Sequence, residues 1–176
     1  MIKFENVTEK TFSAVYEKMV AAFPLEERRT FSNQQKCLNN RSFEFYEIIH
    51  ETNPVGFIGL WNLNGFVFVE HLAIDEDKRS GGFGTKAIEL VKEKYNKPII
   101  LEAEAPVTPQ QIKRISFYER LGFNVNDYPY LQPSYHGGEG VPLKILSFPS
   151  PLTEAELVNF KKETLNSAYN MAGDKK

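Results

Sequence analysis

The stretch DEDKRSGGFGTKAIELV, residues 75–91, places a charged run and three glycines directly before an amphipathic segment. Glycine inside an ordered element costs roughly 0.5–1 kcal/mol relative to alanine, so its repeated use predicts a backbone that another group approaches closely. A helix is predicted from about Gly84 to a position before Pro98. Backbone N–H groups in a tight loop at a helix N-terminus attract anions, so the stretch favours a phosphate-binding junction between a strand and a helix.

Upstream of this junction, apolar spacing predicts a helix over 11–23, stopped by Pro24, and a second, weaker helix over 25–38. Residues 43–51 are rich in aromatic and β-branched side chains and predict a strand. Two further strands are predicted around Asn64-Gly65, which is a strong hairpin signal.

Downstream, residues 98–104 predict a short buried strand. Thr108 opens a helix with a capping-box pattern, and that helix runs to Gly122. Two strands near 123–131 and 141–148 follow, and a last helix opens at Thr153, where Glu156 completes another capping box.

This order of elements predicts an α/β (α+β) fold. We expect a mixed, mostly antiparallel central sheet of about six to seven strands with helices on both faces. The βαβ unit around the glycine stretch should be parallel with a right-handed crossover.

The composition indicates a soluble globular protein. The length of 176 residues suits one domain, which we place at 1–170, followed by a frayed tail at 171–176. The net charge of -2 gives no electrostatic footprint for nucleic acid, and no apolar run is long enough to cross a membrane. The N-terminus shows no secretory signal, and one cysteine, Cys37, cannot form an internal disulfide. We therefore expect a cytoplasmic protein.

Three interpretations of the glycine stretch compete. It could be a flexible turn, since glycine-rich turns are common. A Walker loop is excluded because no Gly-Lys-Ser/Thr is present. The run 82–87 matches the dinucleotide pattern G-x-G-x-x-A, with Glu102 or Glu104 near the distance expected for a ribose carboxylate. However, charged residues separate this pattern from its strand, and that strand belongs to a hairpin.

The remaining interpretation, an acyl-CoA-binding loop, is supported by a second motif further along the chain. Residues 79–84, RSGGFG, and residues 115–123, ISFYERLGF, resemble in order and separation the two motifs of the GCN5-related N-acetyltransferase (GNAT) family. Element order agrees over roughly the whole chain. The resemblance implies a single acyl-CoA N-acyltransferase domain with acetyl-CoA as its acetyl donor, a primary amine as its acceptor and no metal. We expect a small-molecule acceptor, but the sequence does not choose among a small amine, an antibiotic-like polyamine, an amino acid and a protein N-terminus.

The resemblance also implies which residues bind the donor. The strand end holds the pantetheine arm, the glycine loop holds the pyrophosphate, and Gln111 stands where the family usually has asparagine. The implied donor-binding residues are Leu72, Ala73, Ile74, Arg79, Ser80, Gly81, Gly82, Phe83, Gly84, Thr85 and Gln111.

For catalysis, Tyr118 occupies the family's position for the acid that protonates the departing sulfur. A backbone N–H near Leu72 would face the thioester oxygen. Glu70 is the candidate base, or alternatively a recognition group for a cationic substrate. Strand alternation predicts Glu70, Leu72 and Ile74 on one face until a bulge, with the rival base His71 on the other.

The acceptor side is less defined by the sequence. Glu102 and Glu104 share a predicted face at a strand end, which suggests an acidic pocket or simply a solvated edge. The loop at 128–142 could form the acceptor wall, as loops of this kind often carry function, or could be an ordinary hairpin connection. Its candidate contacts are Tyr130, Tyr135 and His136.

Two other functions stay open from the residues: a non-catalytic acyl-CoA-binding module and an NAD-binding oxidoreductase. A homodimer could form through sheet edges or through one face of the last helix, although that face could equally cover the core. The apolar residues of that face are Leu157, Phe160 and Leu165.

Overall fold

A seven-stranded sheet organises the chain, whose computed structural model describes residues 1–170. The predicted frayed tail, 171–176, lies outside the described residues. The elements are β1 (Ile2–Asn6), α1 (Phe12–Ala22), α2 (Phe31–Cys37), β2 (Phe43–His50), β3 (Asn53–Leu63), β4 (Phe66–Ile74), α3 (Phe83–Lys94), β5 (Ile99–Ala103), α4 (Pro109–Arg120), β6 (Asn124–Asn126), β7 (Leu131–Gln132), β8 (Val141–Pro142), β9 (Lys144–Phe148) and α5 (Glu154–Asn166).

The strands of the main sheet follow the order β1-β2-β3-β4-β5-β9-β6. Only β4 and β5 are parallel, with α3 as the crossover between them, and every other neighbouring pair is antiparallel. The mixed, mostly antiparallel sheet of the sequence prediction is therefore confirmed. None of the helices formed by residues 1–170 combines the length and apolar character that a membrane span requires.

Helices cover both faces of the sheet, as predicted. The buried faces of α1 and α5 pack on one side, in a core rich in aromatic side chains such as Phe12, Trp61 and Phe160. The buried faces of α3 and α4 pack on the other side, in a mainly aliphatic core that includes Ile88 and Ile115. We call these the α1/α5 face and the α3/α4 face of the sheet.

The apolar stripe of α5 covers the core instead of forming a free dimerisation surface. Leu157 and Phe160 are buried in the α1/α5 core, and only Leu165 of the three residues is exposed. Of the two roles left open for this stripe, the structure gives core packing to Leu157 and Phe160.

Local signals predicted the helix ends well. Thr108 and Thr153 both form complete capping boxes, with Gln111 and Glu156 as the reciprocal residues. Gly122 follows α4 with φ of 82°, in the left-handed region that favours glycine after a helix.

Two predicted elements are wrong in their extent. The helix predicted over 25–38 is a short 3-10 turn at Leu25–Glu27 followed by α2, because the side chain of Thr30 caps α2 at Asn33 N. The strand predicted over 123–131 splits into β6, which joins the main sheet, and β7, which pairs with β8 in a separate two-stranded sheet. Pro129 lies between the two and lacks the N–H that a continuous strand would donate.

A β-bulge in β4 sets up the site. Gly59 of β3 pairs with His71 and Leu60 pairs with Val69, so Glu70 has no residue opposite it. A bulge adds one residue to its strand and therefore reverses the alternation of the side chains after it. The bulge lies directly after Val69, the last residue of β4 that pairs with β5.

Candidate active site

The parallel strands β4 and β5 separate and open a cleft. They pair only through Val67–Val69 and Ile99–Leu101, although β4 continues to Ile74. The cleft between them has a volume of about 800 Å³. The predicted donor-binding residues Leu72, Ala73 and Ile74 line it, and on the side facing β5 their backbone pairs with no strand formed by residues 1–170.

The glycine loop forms one end of this cleft. Ser80 and Gly82 have φ of 70° and 71°, and α3 then begins at Phe83, where no side chain of the described residues caps its first N–H groups. This contrasts with α4 and α5, whose capping boxes occupy those groups. The cleft lining here comprises Arg79, Ser80, Gly82, Phe83, Gly84 and Thr85.

The geometry of this loop suits a pyrophosphate. Free N–H groups at the positive end of a helix dipole, next to left-handed backbone, form an anion-binding concavity. A Cβ atom at Gly81 would lie 2.7 Å from the Phe83 ring, so a larger residue there would require that ring to move. The cleft and the loop together therefore fit a long ligand that carries phosphates, as acetyl-CoA does.

Tyr118 of α4 presents its side chain to the same cleft. The residue is only 9% exposed, and its ring packs on Phe117 and Phe123. Burial raises the pKa of Tyr118 to about 12, so its hydroxyl keeps its proton. Within residues 1–170 that hydroxyl has no hydrogen-bond partner. A protonated, unengaged hydroxyl in a cleft can donate to a ligand.

Glu70 is not a free carboxylate, and its predicted orientation is wrong. The bulge reverses the alternation of the residues after Glu70, so Leu72 and Ile74 lie on the α3/α4 face while the Glu70 side chain, 1% exposed, lies on the α1/α5 face. Arg29 donates to both of its oxygens, at 2.6 and 3.0 Å. Burial opposes ionisation of Glu70, but the Arg29 guanidinium outweighs it and holds the pKa of Glu70 below its usual value.

Two more donors complete the surroundings of Glu70. The indole of Trp61 donates at 2.9 Å and the hydroxyl of Tyr135 at 2.7 Å. With four hydrogen bonds and a paired cation, this carboxylate has little capacity to accept a proton from an acceptor amine.

His71 lies on the same face as Glu70, which contradicts the prediction of opposite faces. Its Nδ1 is 3.7 Å from Glu70 Oε2, and its Nε2 donates to Glu27 O at 2.8 Å. Burial lowers the pKa of His71, so the imidazole is neutral at neutral pH. Its role in this structure is to hold the backbone of the Leu25–Glu27 turn against β4.

Glu102 and Glu104 both line the cleft but have different partners. Glu102 accepts hydrogen bonds from the hydroxyls of Tyr130 and Tyr169 and from Gln132 Nε2. Burial raises the pKa of Glu102 to about 7. Glu104, just beyond β5, forms an ion pair with Arg114 of α4. The two glutamates of the predicted acidic pocket therefore differ. Glu104 is paired with a cation, whereas Glu102 has no cationic partner among the described residues and titrates near pH 7.

The loop at 128–142 contacts the carboxylates of the cleft but contributes few residues to its lining. The hydroxyls of Tyr130 and Tyr135 donate hydrogen bonds to Glu102 and Glu70, respectively. His136 Nε2 lies 2.9 Å from the carbonyl oxygens of both Leu25 and Arg28. None of these three predicted acceptor contacts belongs to the cleft lining, whereas Gln132 does.

Gln111 also lies outside the cleft lining. Its Oε1 accepts from the N–H groups of Val107 and Thr108, so the side chain is used to cap α4.

Sequence reasoning missed three residues around the two carboxylates. Arg29 stood in a charged run that resembles a solvated turn, yet it is completely buried. Gln132 and Tyr169 come from the loop and from the segment after α5, where no local pattern signals a site. Their positions depend on contacts between distant parts of the chain. Tyr169, for example, lies 67 positions after Glu102, to which it donates a hydrogen bond.

Comparison with known proteins agrees with this geometry. The profile of the acetyltransferase (GNAT) family matches residues 9–123. YjbC of Bacillus subtilis (strain 168), which is assigned as an acetyltransferase, is 32% identical over 167 residues, covering 91% of this chain and 83% of YjbC.

Solved structures share the fold. A Bacteroides thetaiotaomicron protein assigned to the GNAT family superimposes with a TM-score of 0.87 at 28% identity, covering 95% of this chain and 98% of that protein. Arabidopsis thaliana NAA60, solved in complex with acetyl-CoA, gives a TM-score of 0.67 at 13% identity over 84% of this chain and 98% of NAA60. The chain therefore belongs to the GNAT family of acetyltransferase enzymes, whose acetyl donor is acetyl-CoA.

Proposed function

We propose that this enzyme transfers the acetyl group of acetyl-CoA to a primary amine on a small molecule, by direct attack of the amine. The observation that carries the proposal is the cleft itself. It joins an uncapped helix N-terminus, an unpaired strand end and the unengaged hydroxyl of Tyr118 in one continuous space.

Different segments along the cleft would bind different parts of acetyl-CoA. The loop from Arg79 to Thr85 would hold the pyrophosphate, and the unpaired backbone of Leu72–Ile74 would hold the pantetheine arm. A backbone N–H near Leu72 would donate to the thioester oxygen and stabilise the charge that develops there. Bound acetyl-CoA supplies an acetyl group activated as a thioester. Alignment of the two reactants in the cleft can lower the barrier by several kcal/mol.

Tyr118 would act as the acid. The departing sulfur carries negative charge and needs a proton, and the Tyr118 hydroxyl has its proton and no competing partner.

The acceptor end of the cleft supports a small molecule. His136 ties the loop at 128–142 to the backbone of Leu25 and Arg28, and His71 ties Glu27 to β4. These hydrogen bonds hold the segments around the acceptor end to one another. A small amine could enter between these fixed segments without displacing them, so we favour it over a folded protein substrate.

Substitution of Tyr118 tests the catalytic assignment. We expect Tyr118→Phe to lower kcat for thiol release by roughly 10²-fold, the lower range for loss of a general acid, while the Kd for acetyl-CoA stays within about twofold. Tyr128→Phe is the matched control, because its hydroxyl donates to Leu152 O away from the cleft lining. Equal rates in the two variants would remove Tyr118 from the mechanism.

Calorimetric titration with acetyl-CoA, CoA and NAD separates the competing functions. Acetyl-CoA binding together with thiol release across a panel of primary amines supports the proposal. Binding without turnover would indicate a non-catalytic acyl-CoA-binding module, and NAD binding with no response to CoA would indicate an oxidoreductase.

A further inference from the structure

Direct attack requires that the acceptor's ammonium group first lose a proton, and the cleft lining offers four carboxyl groups for that step: Glu27, Glu70, Glu102 and Glu104. Glu70 and Glu104 are paired with Arg29 and Arg114. Glu27 and Glu102 form no ion pair within residues 1–170. An observation at Gln132 distinguishes Glu102 from Glu27.

Glu102 is held entirely by neutral donors. The hydroxyls of Tyr130 and Tyr169 and the amide of Gln132 surround its two oxygens, at 2.7 to 2.8 Å for the Tyr169 and Gln132 contacts. Neutral donors orient a carboxylate without fixing its charge as an arginine does. Burial accordingly raises the pKa of Glu102 to about 7, which suits a group that must gain and lose a proton near neutrality.

Gln132 supplies an unfilled acceptor beside this carboxyl group. The residue is 6% exposed and lines the cleft, and its Nε2 is used by Glu102 at 2.7 Å and by Tyr169 at 3.3 Å. Its Oε1 is buried and has no hydrogen-bond donor among the described residues. A buried acceptor without a donor destabilises its surroundings, so a ligand N–H placed there would remove that cost.

We propose that Glu102 and Gln132 form the subsite for the reacting amine, in which Gln132 Oε1 accepts an N–H hydrogen bond and Glu102 removes a proton from the ammonium group. This inference rests on the proposed function. It assigns the role of base to β5 and gives Glu70 of β4 a structural role.

The proton balance is complete with the groups present. Glu102 takes one proton from R–NH₃⁺, which leaves a neutral nitrogen whose lone pair forms the new C–N bond as the C–S bond breaks. Tyr118 gives its proton to the departing sulfur. The nitrogen loses a second proton as the amide forms, and this proton replaces the one that Tyr118 gave, while Glu102 returns its proton to solvent.

The groups facing Glu102 set the direction of its titration. Tyr130 from the loop and Tyr169 from the segment after α5 donate to it, and ionised Glu70 of β4 repels a second negative charge. A ligand ammonium would add the one positive charge that this set lacks. The subsite therefore favours amines that are protonated in solution, such as primary alkylamines.

The test follows the Glu102 carboxyl group by carbon NMR of protein labelled at glutamate side chains, with propylamine as the probe. We expect one resonance to titrate near pH 7, to be absent in Glu102→Gln, and to shift when propylamine is added. The propylamine shift should be lost in Gln132→Met. If the chemical shift of this resonance does not change when propylamine is added, the inference is wrong, whether or not the protein binds acetyl-CoA. The amine subsite and the proposed acetyltransferase function can therefore fail independently.

Kinetics supply a readout that a purely structural role would not move. Tyr169→Phe removes a donor to the ionised form, so we expect the acidic limb of the pH profile of kcat/KM for propylamine to move to higher pH. Tyr128→Phe should leave the limb in place. Glu102→Gln should lower kcat by roughly 10²-fold, the lower range for loss of a general base. An unmoved limb in Tyr169→Phe, or full activity in Glu102→Gln, would refute the assignment.

Discussion

Two carboxyl groups near the point where β4 and β5 separate differ in charge because their neighbours differ. Glu70 faces a guanidinium and stays ionised, whereas Glu102 faces two phenols and an amide and titrates near neutrality. Both are glutamates on adjacent strands, and nothing in their residue type distinguishes them. The environment alone separates a structural anion from a proton acceptor.

The raised pKa of Glu102 predicts a specific dependence of stability on pH. In the unfolded chain a glutamate ionises near pH 4.3, but in the folded protein Glu102 holds its proton until about pH 7. Its contribution to stability is therefore fully present below the unfolded pKa and is lost as pH rises through 7. With a shift of this size, the loss amounts to roughly 3 kcal/mol.

Urea unfolding of the wild type and Glu102→Gln between pH 4 and 8 measures this effect. We expect the wild type to lose roughly 3 kcal/mol of unfolding free energy relative to the variant over that range, because glutamine does not ionise. Other titrating groups cancel in the difference. Parallel curves would show that Glu102 has an ordinary pKa.

At the scale of elements, the sequence predicted those helix starts and turns that depend only on residues close together in the chain. The capping boxes at Thr108 and Thr153 and the hairpin at Asn64-Gly65 are signals a few residues long, and all three formed. The sequence also predicts a bulge in β4, but its position at Glu70 could not be predicted in the same way. Its residue, Glu70, is bound by an arginine 41 positions earlier in the chain, so its orientation depends on tertiary contacts.

The same distinction applies to the site. The predicted donor-binding residues form a contiguous motif, and Leu72–Ile74 and most of the glycine loop line the cleft. Their binding of acetyl-CoA stays a prediction. The proposed acceptor end combines a turn, a strand end, a loop and the segment after α5. Only the folded chain brings these pieces together.

The close pairing of β3 with the end of β4 gives a prediction at this scale. A Cβ atom on Gly56 would lie 2.2 Å from Ala73 O, so Gly56→Ala must displace the strand that lines the cleft. We expect a loss of about 1–3 kcal/mol in unfolding free energy. We also expect roughly tenfold weaker acetyl-CoA binding, the equivalent of about 1.4 kcal/mol, by calorimetry.

Gly59→Ala on the same strand is the control. Its Cβ atom would lie 3.6 Å from the Phe43 ring, which is ordinary contact, so stability and affinity should change little. Similar effects of the two substitutions would show that the path of β4 does not govern donor binding.

At the scale of the whole molecule, Arg29 connects distant parts of the chain. It donates to Glu70 of β4, to Gln34 of α2 and to the carbonyl oxygen of Ala168 after α5. Its guanidinium also lies over the ring of Tyr135, 4.9 Å from the centroid. One buried cation therefore holds α2, Tyr135 and the segment after α5 to β4 of the sheet.

Removing one member of the Arg29–Glu70 ion pair should lower the free energy of unfolding strongly, whereas replacing both members with apolar residues should lower it much less. We expect Arg29→Met to lose roughly 3–5 kcal/mol of unfolding free energy, because Glu70 is left buried without its cation. The double variant Arg29→Met with Glu70→Leu should recover much of that loss in urea unfolding.

Arg114→Met, at the partly exposed pair with Glu104, is the control and should cost no more than about 1 kcal/mol. A strictly additive double variant at Arg29 and Glu70 would show that the two side chains do not stabilise the fold as a pair.

The contacts made by Ala168 and Tyr169 bear on how the enzyme is made. Translation delivers Arg29, Glu70 and Glu102 early, but the carbonyl and the hydroxyl that complete their surroundings emerge only after α5 has been synthesised. A nascent chain would hold these charged groups in water until then. We therefore expect the surroundings of Arg29 and Glu102 to be completed late in synthesis, and the growing polypeptide to stay inactive until α5 and the segment after it have docked.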